Sequence, residues 1–119
     1  MAKIIVLGAG MVGSAMAIDL AKDHNVLLTD VNQDVLNKIK SKNEKIDILQ
    51  LDVTNKQKLQ STIGEFDLVI NAVPGFLGFE TLKNIITAGK NAIDIAFFPE
   101  NSLELDALAK EHNVTAIVD

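Results

Sequence analysis

Three glycines and one acid carry the most pointed chemistry in this chain. Gly8-x-Gly10-x-x-Gly13 follows the unbroken apolar run Ile4-Ile5-Val6-Leu7, and Asp30 closes the next strand, just past the apolar run Val26-Leu27-Leu28. Each glycine has a physical task in such a turn. Gly8 permits the sharp exit from a strand. Gly10 has no Cβ, so a pyrophosphate can approach the backbone. Gly13 lets the following helix lie close on the strand, and Ala17, one turn later, keeps that face small. Ala9, Met11 and Val12 complete the loop. The phosphates would meet free backbone N–H groups and the positive end of the helix dipole. Asp30 can accept hydrogen bonds from an adenosine ribose, and Val31 can border the adenine.

Such a turn works only if a strand precedes it and a helix follows. The apolar run predicts a strand over Lys3–Leu7, and the pattern after it a helix from Met11 to Lys22. Val12, Met16 and Leu20 are expected on its inward stripe. Ala15-Met16-Ala17 loosely mimics a signal-peptide cleavage site. The three glycines would spoil the apolar segment that a signal peptide needs, and the fingerprint accounts for each of them.

The same alternation continues. A turn at Asp23-His24-Asn25 leads to a strand over Val26–Asp30. Asn32 is a suitable N-cap for a helix with Val35, Leu36 and Ile39 inward. A third strand is expected over Ile46–Leu51. Thr54-x-x-Gln57 then reads as a capping box for a short helix carrying Leu59 and Ile63, with Gly64 as its C′ residue. A fourth strand spans Asp67–Ala72 and ends in the breaker Pro74-Gly75. A helix over Phe76–Ala88, with Leu82, Ile85 and Ile86 facing the sheet, stops at Gly89. A fifth strand covers Ala92–Ala96, and Phe97-Phe98-Pro99 is a connector. Asn101-x-x-Glu104 is a second capping box, opening a helix to Glu111 with Leu105, Leu108 and Ala109 inward. A sixth strand covers Val114–Val118.

Strands that are apolar rather than strictly alternating, each followed by a helix, predict an α/β protein whose parallel sheet is covered on both faces. The glycine turn selects the doubly wound, six-stranded form (the Rossmann fold), in the order 3-2-1-4-5-6. A length of 119 residues accommodates one such domain and little else.

Composition narrows the partners. The net charge is -5 and no basic run is present, so neither nucleic acid nor an acidic membrane surface is an expected partner. The chain has no cysteine, which removes disulfides, thiolate metal sites and thiol nucleophiles. No metal is expected, and a cytoplasmic location is the default.

In a doubly wound sheet the ligand lies across the carboxyl ends of the strands. Asp52 and Val53 can therefore meet the adenine from the third strand, although Asp52 is equally read as an acid serving the next helix. Asn71, Ala72, Val73 and Pro74 follow the fourth strand, where the nicotinamide end should pass. An acid at Asp30 and the absence of any arginine favour NAD over NADP, because a 2′-phosphate would face a carboxylate with no guanidinium to offset it. No catalytic residue is assigned. His24 and His112 read as structural, Ser14, Thr29 and Ser102 lack a paired base, and Glu80 and Asp94 are isolated carboxylates.

One stretch is more specific than the glycine turn: Asn71-Ala72-Val73-Pro74-Gly75-Phe76-Leu77-Gly78-Phe79. Together with Ala88-Gly89-Lys90, Ile93-Asp94-Ile95 and Phe98-Pro99-Glu100-Asn101-x-Leu103-Glu104-Leu105, it resembles the N-terminal domain of the saccharopine dehydrogenase family. It looks most like the lysine 6-dehydrogenase branch. The resemblance implies an NAD(P)-dependent amino-acid oxidoreductase that moves hydride from a C–N-bonded carbon to NAD. It carries the cofactor roles onto Gly8, Gly10, Gly13 and Asp30, and onto Asp52 and Val53. That family continues past its sixth strand with a Gly-x-x-Pro-Gly segment and a substrate domain, whereas this sequence stops at Asp119. The expectation is a cofactor domain without its substrate domain, meeting an amino-acid substrate only when the two are joined. Apolar surface at the sixth strand and Phe97-Phe98 would favour a homo-oligomer. The alternative is a non-enzymatic dinucleotide-sensing module resembling the regulatory domains of potassium channels, which share the glycine turn and the acid but not the Pro74–Phe79 motif.

Overall fold

The computed structural model describes residues 2–96 and 103–118. Strands and helices alternate along the chain: β1 (Lys3–Leu7), α1 (Met11–Leu20), β2 (Asn25–Asp30), α2 (Gln33–Lys42), β3 (Asp47–Gln50), α3 (Lys56–Ile63), β4 (Leu68–Asn71), α4 (Gly75–Thr87), β5 (Ala92–Asp94), α5 (Leu103–Glu111) and β6 (Ala116–Val118). All five strand pairings are parallel, and the order across the sheet is β3-β2-β1-β4-β5-β6. The predicted architecture is thus the observed one. The chain winds outward from β1 to β3 and then crosses back to β4 on the other side of β1. That reversal opens a crevice at the carboxyl ends of β1 and β4.

β1 is the centre of the sheet and shows why its residues are all apolar. Ile5 and Leu7 belong to a core under α3, α4 and α5, with Leu59, Ile63, Leu82, Ile85, Leu105 and Ala109. Ile4 and Val6 point to the opposite core, with Ala17 of α1 and Leu36 of α2. A strand whose two faces are both covered needs hydrophobic side chains at every position. Full burial of one Leu or Ile contributes roughly 1.5–3 kcal/mol.

Four local expectations need correction. Val12 is not inward: it is 58% exposed. The residues that α1 buries are Gly13 and Ala17, followed by Ala21, while Met16 and Leu20 are half-buried. α1 is apolar nearly all round, so periodicity alone selects no face. Close approach to β1 selects the small residues. Thr54 is not the cap of α3. Its hydroxyl and its N–H both donate to Asp52 Oδ1, at 2.6 and 2.9 Å, and Asn55 takes over as N-cap by accepting from Lys58 N–H. Gly64 stands at the C-cap with φ -57°, in the right-handed region, so it does not form the left-handed C′ turn expected of it. Several strands are also shorter than expected; β5 ends at Asp94 and β6 begins at Ala116. The Asn32 cap is as predicted, its Oδ1 accepting from Asp34 and Val35 N–H. The Phe97-Phe98-Pro99 connector, Ser102 and the Asn101–Glu104 capping box lie outside the described residues.

Candidate dinucleotide site

The glycine turn is held from three sides. Gly8 N–H donates to Thr29 O at 2.9 Å, and Ala72 N–H donates to Leu7 O at 2.8 Å, which brings the end of β4 against the turn. Ala9 N–H donates to Asp30 Oδ2 at 2.8 Å. The three glycines are required for different reasons. Gly8 has φ +104°, and a Cβ on it would collide with the carbonyl of Ala72. A Cβ on Gly13 would strike Gly8 O and press on the Ala72 side chain. These two glycines are required by the protein itself. Gly10 differs, because a Cβ there meets no protein atom within 4 Å. The room in front of Gly10 lies open beside the first turn of α1, whose N-cap, Gly10 itself, offers no side-chain acceptor to the helix amides. This is the arrangement a pyrophosphate fits: bare backbone, unshared N–H groups and a helix N-terminus.

Next to the turn lies a slot lined by Gly8, Thr29, Asp30, Val31, Leu51, Val53, Val73, Pro74, Phe76 and Leu77. It runs over the carboxyl ends of β1, β2 and β4 and is mostly apolar, as a flat heterocycle requires. Asp30 is half-buried at this slot, and Val31, 60% exposed, forms part of its wall. Phe76 on the first turn of α4 is 81% exposed and stands on the same slot. The sequence marks Phe76 only as a helix start and as part of the family motif, not as a site residue. Only the packing of α4 reveals that it is left out of the core.

The other predicted site residues divide clearly. Met11 is 89% exposed and sits with Val12 at the mouth of the loop. Ala72 is half-buried and packs on Gly13, while Val73 is buried against the slot. Asp52 does not line the slot; it is exposed and bound by Thr54, whose hydroxyl and N–H hold its carboxyl below the usual range. Asn71 is fully buried. Its amide donates to Gly78 O at 3.1 Å and to Asp94 Oδ2 at 3.0 Å, so it braces the end of β4 against α4 and β5. Asp94 is buried too, and its Oδ1 accepts from Ala96 N–H. Burial pushes its carboxyl up from 3.8, partly offset by the hydrogen bonds from Ala96 and Asn71.

The histidine and hydroxyl readings also have partners. His24 Nδ1 accepts from Ala2 N–H at 3.0 Å, far from the carboxyl ends. Thr29 Oγ1 donates to Val6 O, and Ser14 Oγ donates to Gly10 O. Among the described residues no group of three or more His, Cys, Asp or Glu could hold a metal ion, and no helix is long and apolar enough to cross a membrane.

A switch-point crevice, an open glycine turn at a helix N-terminus, and an acid at the end of the second strand together define a dinucleotide-binding domain of the doubly wound class. Within that class, the chain belongs to the family described as the saccharopine dehydrogenase NADP binding domain, whose model matches residues 4–117. Among solved structures it is similar to saccharopine dehydrogenase (L-Glu forming) from Saccharomyces cerevisiae, with a TM-score of 0.85 and 21% identity over 99% of this chain and 27% of that one. It is also similar to GenD2 from gentamicin A biosynthesis in complex with NAD, with a TM-score of 0.77 and 20% identity over 98% and 34% of the two chains. A third is scyllo-inositol dehydrogenase from Lactobacillus casei with bound NAD(H), with a TM-score of 0.79 and 17% identity over 99% and 36%. At these identities the likeness is one of fold. The chain spans about a quarter to a third of the length of these proteins.

Proposed function

We propose that this chain is the NAD-binding unit of an amino-acid oxidoreductase of the saccharopine dehydrogenase or lysine 6-dehydrogenase type. In this reading the dinucleotide, when bound, supplies the carbon that takes hydride from a C–N-bonded carbon of lysine, saccharopine or a related amino acid. The residues of this chain bind and orient it. The Gly8–Gly13 turn and the first amides of α1 hold the pyrophosphate. Asp30 holds the adenosine ribose, and Val31, Val53, Val73, Pro74 and Phe76 exclude water around the adenine. Ala72 and the end of β4, braced by Asn71, form one wall for the nicotinamide. The substrate's other walls belong to a second domain outside these 119 residues, and a cytoplasmic setting suits an acidic, cysteine-free chain.

The observation that carries the NAD preference is the Asp30 carboxylate at the edge of the slot, in a chain without arginine. A ribose hydroxyl can donate to that carboxylate, whereas a 2′-phosphate is repelled and loses the bond. A hydrogen bond to a charged group contributes roughly 1.5–3 kcal/mol, so NADH should bind at least about tenfold more tightly than NADPH. Titration calorimetry of the 119-residue chain with both cofactors tests this. Equal or tighter binding of NADPH would refute the preference, and binding of neither would refute the dinucleotide reading.

A further inference from the structure

We infer that Asp30 is also a positioning residue for the phosphate turn: through the Ala9 N–H, its carboxylate locks Gly8–Gly10 in the conformation that receives a pyrophosphate. This rests on the dinucleotide reading above and deepens it, since a ribose partner need touch nothing but the ribose.

The geometry is specific. Asp30 Oδ2 accepts from Ala9 N–H at 2.8 Å, and Asp30 Oδ1 accepts from Asn32 N–H at 2.9 Å. Both acceptors are oxygens of one carboxylate, and hydrogen bonds to an ionised acceptor are stronger than neutral ones. Ala9 is 5% exposed, so water competes poorly for its amide. The turn needs such a restraint. It has a glycine at each end of Ala9, and glycine gives up the most conformational freedom on ordering. Its backbone is otherwise tied at Gly8 N–H to Thr29 O on one side and at Gly10 O from Ser14 N–H on the other. Asp30 supplies the tie between those two points. The two roles coexist, because an ionised carboxylate offers about four lone-pair sites and the two backbone donors leave others for ribose hydroxyls. The Asn32 bond links the same carboxylate to the cap of α2, so one side chain joins the phosphate turn, the ribose position and the start of α2.

Ligand deletion separates the two roles. A ribose partner alone would lose nothing toward an NADH analogue whose adenosine carries a 2′,3′-dideoxyribose, because that analogue has no hydroxyl for Asp30. A turn lock would. Asp30→Ala should therefore bind the dideoxy analogue about three- to tenfold more weakly than the parent does, while Asp30→Asn, which keeps one neutral acceptor oxygen, should fall between the two. A second readout needs no ligand. In the unliganded parent the Ala9 amide should exchange with solvent slowly for a loop position, and Asp30→Ala should speed that exchange at least about tenfold, with Asp30→Asn restoring part of the protection. Equal affinity of parent and Asp30→Ala for the dideoxy analogue would overturn the inference. So would fast Ala9 exchange in the parent itself, which decides the matter even if Asp30→Ala fails to fold. If the parent binds no NADH at all, the functional reading fails by that result alone, and Ala9 exchange still reports on the lock.

Discussion

Gly8, Gly10 and Gly13 share a motif but not a cost of substitution. At Gly8 a side chain must adopt φ +104° and enter the space of the Ala72 carbonyl. Such backbone strain costs on the order of 1–3 kcal/mol before any collision is counted. At Gly13 the obstacle is the Gly8 carbonyl, a rigid neighbour. At Gly10 the backbone is extended, with φ -70°, and nothing lies in the way. Gly10→Val should therefore fold with a thermal midpoint close to the parent's, losing about 1 kcal/mol or less of cap preference. It should bind NADH at least about tenfold more weakly, since its side chain fills the space left for the pyrophosphate. Gly8→Ala should instead lose stability first. Thermal unfolding paired with calorimetry separates the two patterns, and Gly10→Val binding NADH like the parent would mean that the phosphates lie elsewhere.

β4, β5 and α4 meet at the Asn71–Asp94 brace, where two polar side chains are placed under the floor of the site. Asn71 and Asp94 are register partners on adjacent strands. Asn71 Oδ1 has no hydrogen-bond partner, so the brace is not fully satisfied. Burial raises the Asp94 carboxyl above its ordinary value of 3.8, which makes the folded state hold that proton more tightly than the unfolded chain. The contribution from this group is thus fully present below 3.8, and it is lost as pH rises through the raised folded value. Asp94→Asn cannot titrate. Its unfolding free energy relative to the parent should rise with pH across that window and level off above it, by ~1.4 kcal/mol for each unit that separates the two states. Any lost bond to Asn71 shifts the variant by a constant and leaves this trend intact. Urea titrations of both proteins from about pH 4 to about pH 8 measure the difference, and a difference that does not change with pH would show that Asp94 is not shifted upward.

At the scale of the molecule, the carboxyl ends of the strands present a cofactor cradle and no acid–base pair among the described residues. Ser14, Thr29 and His24 are tied to backbone groups, and Asp94 is buried and hydrogen-bonded to Asn71. Hydride transfer requires the reacting carbons to be held about 3–3.5 Å apart and aligned, and in the function proposed above Ala72 and the end of β4 supply only one wall of that arrangement. The 119-residue chain should therefore bind NADH but form none from NAD with lysine or saccharopine, even at high protein concentration. Absorbance of NADH at saturating substrate tests this. Sustained turnover, with a rate proportional to chain concentration, would show that the catalytic groups lie within this sequence.

Much of this architecture was legible in the residues themselves, for a local reason. Unbroken apolar runs mark strands covered on both faces, the glycine spacing marks the switch from strand to helix, and Asn32 marks a helix start with its own side chain. Each signal is read within one element, so periodicity and cap chemistry suffice. The parts that only the tertiary structure decided depend on which elements become neighbours. α1 is apolar on most sides, so the close packing of Gly13 and Ala17 on β1, not the pattern, turned Val12 outward. Asp52 took the Thr54 hydroxyl, which moved the α3 cap to Asn55. The Asp30–Ala9 bond, the Asn71–Asp94 brace and the exposed Phe76 at the slot join residues from separate elements. A hydrogen bond between strand ends exists only once parallel pairing fixes their register, and no local rule in the sequence carries that information.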